Sequence, residues 1–498
     1  MSDLIKGDNQ EEQQPGGTAT ATLVPPPDRK ARHRREAEGI GKPRKKPFLV
    51  AFITSRRLHT ILILALIIYL CVLIPHLFWE RTPDIPLKMM IVDKTVPFQD
   101  YREHRGLFWL LTNNKFVDPT KQTDNRFYAE DLDYTGFYPP PDDRILAPPE
   151  QENAMFSQEF NPNFVGPVPS SSNPAEDARL KNDVHWRFDY IDSADLADRD
   201  LLYICDSYGV YSADYWQFRS DYWGDNIAHT IYSPKIYGGM KPEEITAIEG
   251  FLDQGGRTIC AEFNTLASPT DEELRDRLEE IFGVDWTHWI GRYFVDFGDV
   301  TDVPWWLFEL YKQKHGKDWD LTGSGYLLCK DGEDEFFVLT DADDVAPGGM
   351  LFVPRTDYME MDVMQGSRPS TFTYWFDVVT VRPDPSVQIL ADFEFKLTDS
   401  GKDKMRRHDL PLVIPAIVRK ETHYNSYYMA GEMTEFGKAM GPADTKLTLQ
   451  INRSFYGREV QGSTGFPFWH SSYPVVTNIL RKEADLISPI KVPVYPFR

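Results

Sequence analysis

Apolar runs of three kinds punctuate the chain. Residues 61–79, ILILALIIYLCVLIPHLFW, are apolar apart from Pro75 and His76 near the far end. At about 1.5 Å per residue such a run spans about 28 Å, the thickness of a bilayer core. Backbone groups in lipid must be satisfied internally, which makes this run a helix, with Phe78 and Trp79 suited to the interface. Short buried runs at 88–96, 201–205 and 257–263 then read as strands. They alternate with helical spacing at 101–116, 241–254 and 272–282. Pro242 with Glu243 and Glu244 opens one of these helices and Gly255-Gly256 stops it; Gly283 stops another. Strand–helix units in this order predict an α/β fold, a doubly wound parallel sheet with right-handed crossovers. After position 323 the runs shorten (325–329, 335–339, 373–381, 387–396, 412–418, 427–429) and Gly and Pro separate them, an antiparallel signature. A terminal helix is expected over 474–487, and no solenoid or propeller repeat is present.

Charge orients the apolar run. Basic residues crowd positions 29–46 and recur at Arg56 and Arg57, and few follow the run. The positive-inside rule puts residues 1–60 in the cytoplasm and 80–498 outside it. A sixty-residue charged leader with no small-x-small site after the run argues for a retained anchor over a cleaved signal. The expected organisation is a disordered basic tail (1–47), a juxtamembrane segment (48–60), one transmembrane helix (61–79), an α/β domain (80–322) with a Pro-rich excursion at 118–180, and a β-rich region (323–498). The net charge of −22 argues against general nucleic-acid binding. Four cysteines exclude a disulfide scaffold, and Cys205 and Cys260 read as core residues or as a mutual disulfide. The basic tail either faces anionic headgroups or only enforces topology.

In open α/β sheets ligands bind beyond the carboxyl ends of the strands. Those ends carry Asp93, then Asp206 with Tyr208, then Glu262 with Asn264. Arg102 opens the helix after the first strand, and Trp289 and Arg292 follow the third unit. Converging carboxylates act as acid and base, bind a metal or hydrogen-bond sugar hydroxyls, and the aromatics offer flat faces to a sugar ring. Alternatively the same acids cap helices or pair with Arg102, Arg292 or Lys94. Asp206 and Glu262 are the candidate catalytic pair; Asp93, Arg102, Tyr208, Asn264, Trp289 and Arg292 are the candidate ligand-binding residues. No zinc spacing, Walker loop or G-x-S-x-G elbow occurs, and no metal or cofactor is expected. Asn452-Arg453-Ser454 fits a glycosylation sequon.

The stretch 237–268, YGGMKPEEITAIEGFLDQGGRTICAEFNTLAS, resembles the class I glutamine amidotransferase-like superfamily, in particular its ThuA-like and β-galactosidase trimerisation-domain branches, where a helix ends in Gly-Gly before a strand. Tyr428-Met429-Ala430-Gly431-Glu432 is similar to a late strand motif of such domains. The resemblance implies a flavodoxin- or amidotransferase-like sheet completed by part of the C-terminal region. It implies no glutaminase chemistry, because no cysteine elbow and no late His-x-Glu is present. The expected function is a membrane-anchored extracytoplasmic accessory or scaffold protein that binds a glycan or a membrane-protein partner in envelope polysaccharide assembly or export. The alternative is a carboxylate-dependent hydrolase acting on glycans. Signalling through the tail ranks third, because the tail holds no folded module.

Overall fold

A computed structural model describes residues 56–121, 126–139, 187–211, 235–300, 302–333, 335–355, 362–436, 440–455 and 465–487. The expected tail (1–47), most of the juxtamembrane segment and most of the Pro-rich excursion lie outside these residues. Residues up to Ile67 and residues from Ile68 onward form two compact units, and the fold that follows belongs to the second.

Among the described residues one helix, α1 (Arg56–Arg81), is long and apolar enough to cross a membrane, and none of its apolar window is buried. Trp79 packs against the body. It is buried, donates its indole N–H to the Asn113 carbonyl (3.2 Å), stacks on Phe127 and lies under Lys115. Phe78 alone of the pair is exposed. Lys115 also donates to the Glu80 and Thr82 carbonyls. The end of α1 is therefore docked into the body.

The central sheet contains β1 (Met89–Asp93), β2 (Thr135–Tyr138), β3 (Leu201–Asp206) and β4 (Thr258–Ala261), all parallel. Between them run α2 (Arg102–Asn114) and α3 (Pro242–Leu252), and after β4 comes α4 (Glu272–Phe282). The Pro242 start and the Gly283 stop act as their residue types predict; Gly283, at φ 72°, donates to the Glu279 carbonyl. β2 lies inside the stretch expected to be irregular. It has only four residues, too few for a periodic signal.

A second, four-stranded antiparallel sheet holds β5 (Val284–Phe294), β6 (Gly325–Lys330), β7 (Glu335–Thr340) and β9 (Phe376–Val381); α5 (Trp305–His315) lies between β5 and β6 in the chain. β5 has no counterpart in the sequence reading. Its alternation slips at a bulge between Trp286 and Ile290, where His288 takes φ 68°, and the bulge masks the strand period.

The remaining strands, β8 (Val345–Pro354), β10 (Val387–Leu397), β11 (Val413–Glu421) and β12 (Asn425–Met429), return to the first sheet. α6 (Asp399–Arg407) joins β10 to β11. β12 pairs parallel with β4, and β11, β10 and β8 extend the sheet antiparallel beyond it. The fold is thus mixed α/β with a mixed sheet and a β-rich C-terminal region. Its parallel strands run in the order β2-β1-β3-β4-β12, and the chain reverses direction across the sheet between β1 and β3.

α7 (Lys446–Phe455) and α8 (Tyr473–Ile487) end the described chain. Cys205, Cys260 and Cys329 are buried free thiols. The register sets Cys260 opposite Tyr203, not opposite Cys205, so the two cysteines do not pair. Asn452 is only 6% exposed and its amide donates to the Met440 carbonyl (2.7 Å). Folded protein offered to a glycosylating host will therefore carry no sugar on Asn452. Intact mass checks this, and a glycan there would mean the 440–455 segment does not pack as described.

Candidate functional site

Parallel strands deliver their last residues to one edge. Asp93 ends β1, Asp206 ends β3, and Glu262 follows β4. α2 starts at the same edge and brings Glu103 and His104. The loop after β12 crosses the edge with Glu432, Met433, Thr434 and Glu435. This crossing needs Gly106: its N–H donates to the Thr434 carbonyl (3.0 Å), and a Cβ there would lie 2.3 Å from that oxygen. Phe436 N–H closes the contact on the Arg102 carbonyl (3.1 Å).

Each acid has its own environment. Asp93 is fully buried and meets His104 Nδ1 at 2.6 Å, while His104 Nε2 donates to the Glu130 carbonyl (2.9 Å). A carbonyl only accepts, so Nε2 carries a hydrogen. The Asp93–His104 contact then holds one further proton between its partners. Asp206 accepts from the Thr95 hydroxyl (2.7 Å), the Tyr208 N–H (2.6 Å) and the Asn264 amide (3.1 Å). Asn264 reaches it from the left-handed conformation (φ 67°), which Asn tolerates better than most residues. Burial, helped by the charge of Asp93, pushes Asp206 up to about 7.

Glu262 is closed on every side. Oε1 accepts from the Tyr203 hydroxyl (2.5 Å) and the Thr434 hydroxyl (2.8 Å), and Oε2 from the Met433 (2.6 Å) and Thr434 (3.0 Å) N–H groups. Burial outweighs these donors and raises it to about 7. Its place is that of an anchor for the crossing loop.

The acids that converge are Glu103, Asp206 and Glu432, with one oxygen of each within 4.8 Å of the others. Burial pushes Glu103 well above the usual carboxylate range, against the pull of Arg102. Burial and the neighbouring Glu435 raise Glu432 likewise. Glu435 is also buried, but Arg102 and the hydrogen bond from Glu432 hold it below its ordinary value. The two neighbours are thus pushed in opposite directions, Glu432 up and Glu435 down. Arg102 is half-exposed (53%) and bridges Glu103 (2.8 Å) and Glu435 (2.9 Å). Trp375, partly exposed, donates its backbone N–H to Glu432 (3.3 Å), and Phe263 stacks beside its ring. Three oxygens of this kind suit a hard cation completed by water, or a ligand rich in hydroxyls.

Of the residues expected at this edge, Asp93, Arg102, Tyr208, Asn264, Asp206 and Glu262 all arrive there. Asp206 belongs to the converging acids, and Arg102, Tyr208 and Asn264 contact them. Arg292 lies on β5, pairs with Asp302 (2.6 Å) and sits over Phe294 and Trp375, so it reaches the rim. Trp289 packs in the core against Phe337 and His408 instead. Glu103, Glu432 and Glu435 were not selected from the sequence. The Tyr428–Glu432 motif was the available signal for Glu432, and the i+1 position beside Arg102 for Glu103.

A separate cavity of about 610 Å³ opens at the amino edge of the parallel strands, between Asp253, Asp276, Arg277, Arg382 and Tyr424. Arg277 there pairs with Glu249, and Arg382 with Glu279, Glu280 and Asp285. It is lined by satisfied ion pairs and holds none of the converging acids.

No protein-family model and no curated protein matches the chain. One solved structure, a ThuA-like protein from Bacteroides uniformis, aligns over 58% of this chain and 84% of its own length, at 10% identity and a TM-score of 0.22.

Proposed function

We propose that the chain is a single-pass membrane-anchored accessory protein whose doubly wound body, on the side of the bilayer away from the basic tail, binds a glycan at the Glu103–Asp206–Glu432 crevice during envelope polysaccharide assembly or export. The observation that carries this reading is the cluster itself. Three carboxyls meet at the carboxyl edge, where the strand order reverses, and burial raises the proton affinity of each. Carboxyls in that state both donate and accept hydrogen bonds, as paired sugar hydroxyls require. α2, 13 residues and so about 20 Å long, has Glu103 at its start and Asn113, the partner of Trp79, at its end.

Glycan binding by the full chain in lipid nanodiscs is the test. Asp206→Asn with Glu103→Gln is expected to weaken binding of envelope polysaccharide fragments by about tenfold, since each hydrogen bond between neutral groups contributes about 0.5–1.5 kcal/mol. Unchanged affinity in a variant of unchanged melting temperature would remove the reading. The hydrolase alternative, first read on Asp206 with Glu262, keeps Asp206: an acid held near 7 can donate a proton at neutral pH. Release of shortened glycan by the parent chain, lost in Asp206→Asn, would favour it over plain binding.

A further inference from the structure

α7 carries KLTLQINRSF, with Leu449 and Asn452 turned into the body. Ile451 (44% exposed) and Phe455 (73%) stand four residues apart, hence on one face. Among the described residues outside α1, they are the only exposed large apolar pair on a common helix face.

The entry to α7 is tied to the end of α1. The His76 ring lies 3.3 Å from the Asp444 carbonyl and 3.2 Å from its carboxylate. Asn113 donates to the Ala443 (2.9 Å) and Thr445 (3.3 Å) carbonyls, while its own carbonyl takes the Trp79 indole. His76 precedes Trp79 by three residues, about 4.5 Å of helix. The last turns of α1 thus meet the start of α7, and Ile451 and Phe455 follow further along that helix.

We infer that α7 is an interfacial helix: Ile451 and Phe455 insert into the headgroup–acyl boundary of the bilayer that α1 crosses and seat the amino edge of the sheet on the lipid. This rests on reading α1 as a membrane span. Both cations of α7 point inward, Lys446 to the Asn113 and Asn114 side chains and Arg453 to the Trp469 carbonyl. The contact is therefore apolar in origin and indifferent to salt and to anionic lipid, unlike a polybasic one.

The test uses the full chain in phosphatidylcholine nanodiscs with an environment-sensitive fluorophore on a single accessible cysteine. Cys71 is exposed and the other three cysteines are buried, so Phe455→Cys in a Cys71→Ser background directs the label. Native Cys71 reports the span. Val413→Cys on β11, half-exposed and past the carboxyl edge, reports the far side of the body. Headgroup and shallow-chain spin-labelled lipids are expected to quench position 455 severalfold more than position 413, with no change at high salt. Quenching at Cys71 with position 455 no better quenched than 413 would overturn the inference and leave the anchor standing, as would quenching at 455 that salt abolishes. Absence of quenching at Cys71 by deep-chain spin-labelled lipids would overturn the anchor, and the inference with it.

Discussion

Glu262→Ala will destabilise the body by about 3–5 kcal/mol, whereas Glu262→Gln will cost only about 1 kcal/mol. The difference lies in which donors can turn. Met433 and Thr434 present backbone N–H groups to Oε2, and these only donate. Tyr203 and Thr434 present hydroxyls to Oε1, and a hydroxyl can accept as readily as it donates. Glutamine places its carbonyl on the two N–H groups and its amide on the two hydroxyls, so every partner stays satisfied. Alanine leaves two N–H groups and two hydroxyls without their partner in a site only 2% exposed. The loop they hold carries Glu432, so Glu262→Ala will also loosen the crevice. Urea unfolding in nanodiscs, followed by tryptophan emission, separates the two variants. Equal losses for both would refute the hydroxyl reversal. No loss for alanine would show that Glu262 anchors nothing.

Thermal stability will fall as pH rises from about 5 to 7. Asp206, Glu262 and Asp377 are each pushed to about 7 by burial, and so is Glu483. Their unfolded values lie near 4. Between the two values the native state holds more protons than the unfolded chain, so each group's stabilisation is complete below about 4 and is lost as pH climbs through 7. Each contributes a slope of up to about 1.4 kcal/mol per pH unit in that window. His288, lowered by burial, opposes them with one proton below its ordinary value. Lys446, lowered to about 7 by burial, binds fewer protons native than unfolded and so turns the slope upward above pH 7. A scan of melting temperature against pH should show a minimum near neutrality. Glu262→Gln and Asp377→Asn should each flatten the acid limb; for Asp377 the proton sits on the oxygen facing the Tyr428 hydroxyl, because Trp286 N–H donates to the other. A curve that rises from pH 5 to 7 would mean these acids are ionised in the folded body.

Much of the frame was legible because local physics wrote it. The α4 stop at Gly283 needs a left-handed residue, and the α3 start uses Pro242 where a missing N–H costs nothing. Strands β1, β3 and β4 are buried on both faces and so read as short continuous apolar runs. Asp93, Asp206 and Glu262 were visible because each ends or follows such a run. What escaped was set at longer range. β2 is too short to show a period, and the bulge at His288 hides β5, the strand that carries Trp289 and Arg292. Glu103 and Glu432 look like ordinary polar positions until Gly106 lets the loop after β12 pass within hydrogen-bond distance of α2.

By itself the sequence determined the lone apolar helix, the alternation of strand and helix, and the presence of acids at the strand ends, since period, capping and charge are properties of neighbours in the chain. Only the tertiary structure decided which acid is an anchor and which belongs to the crevice. That choice depends on donors brought from β12, α2 and β3, segments far apart in the chain, and on burial that no single segment can create.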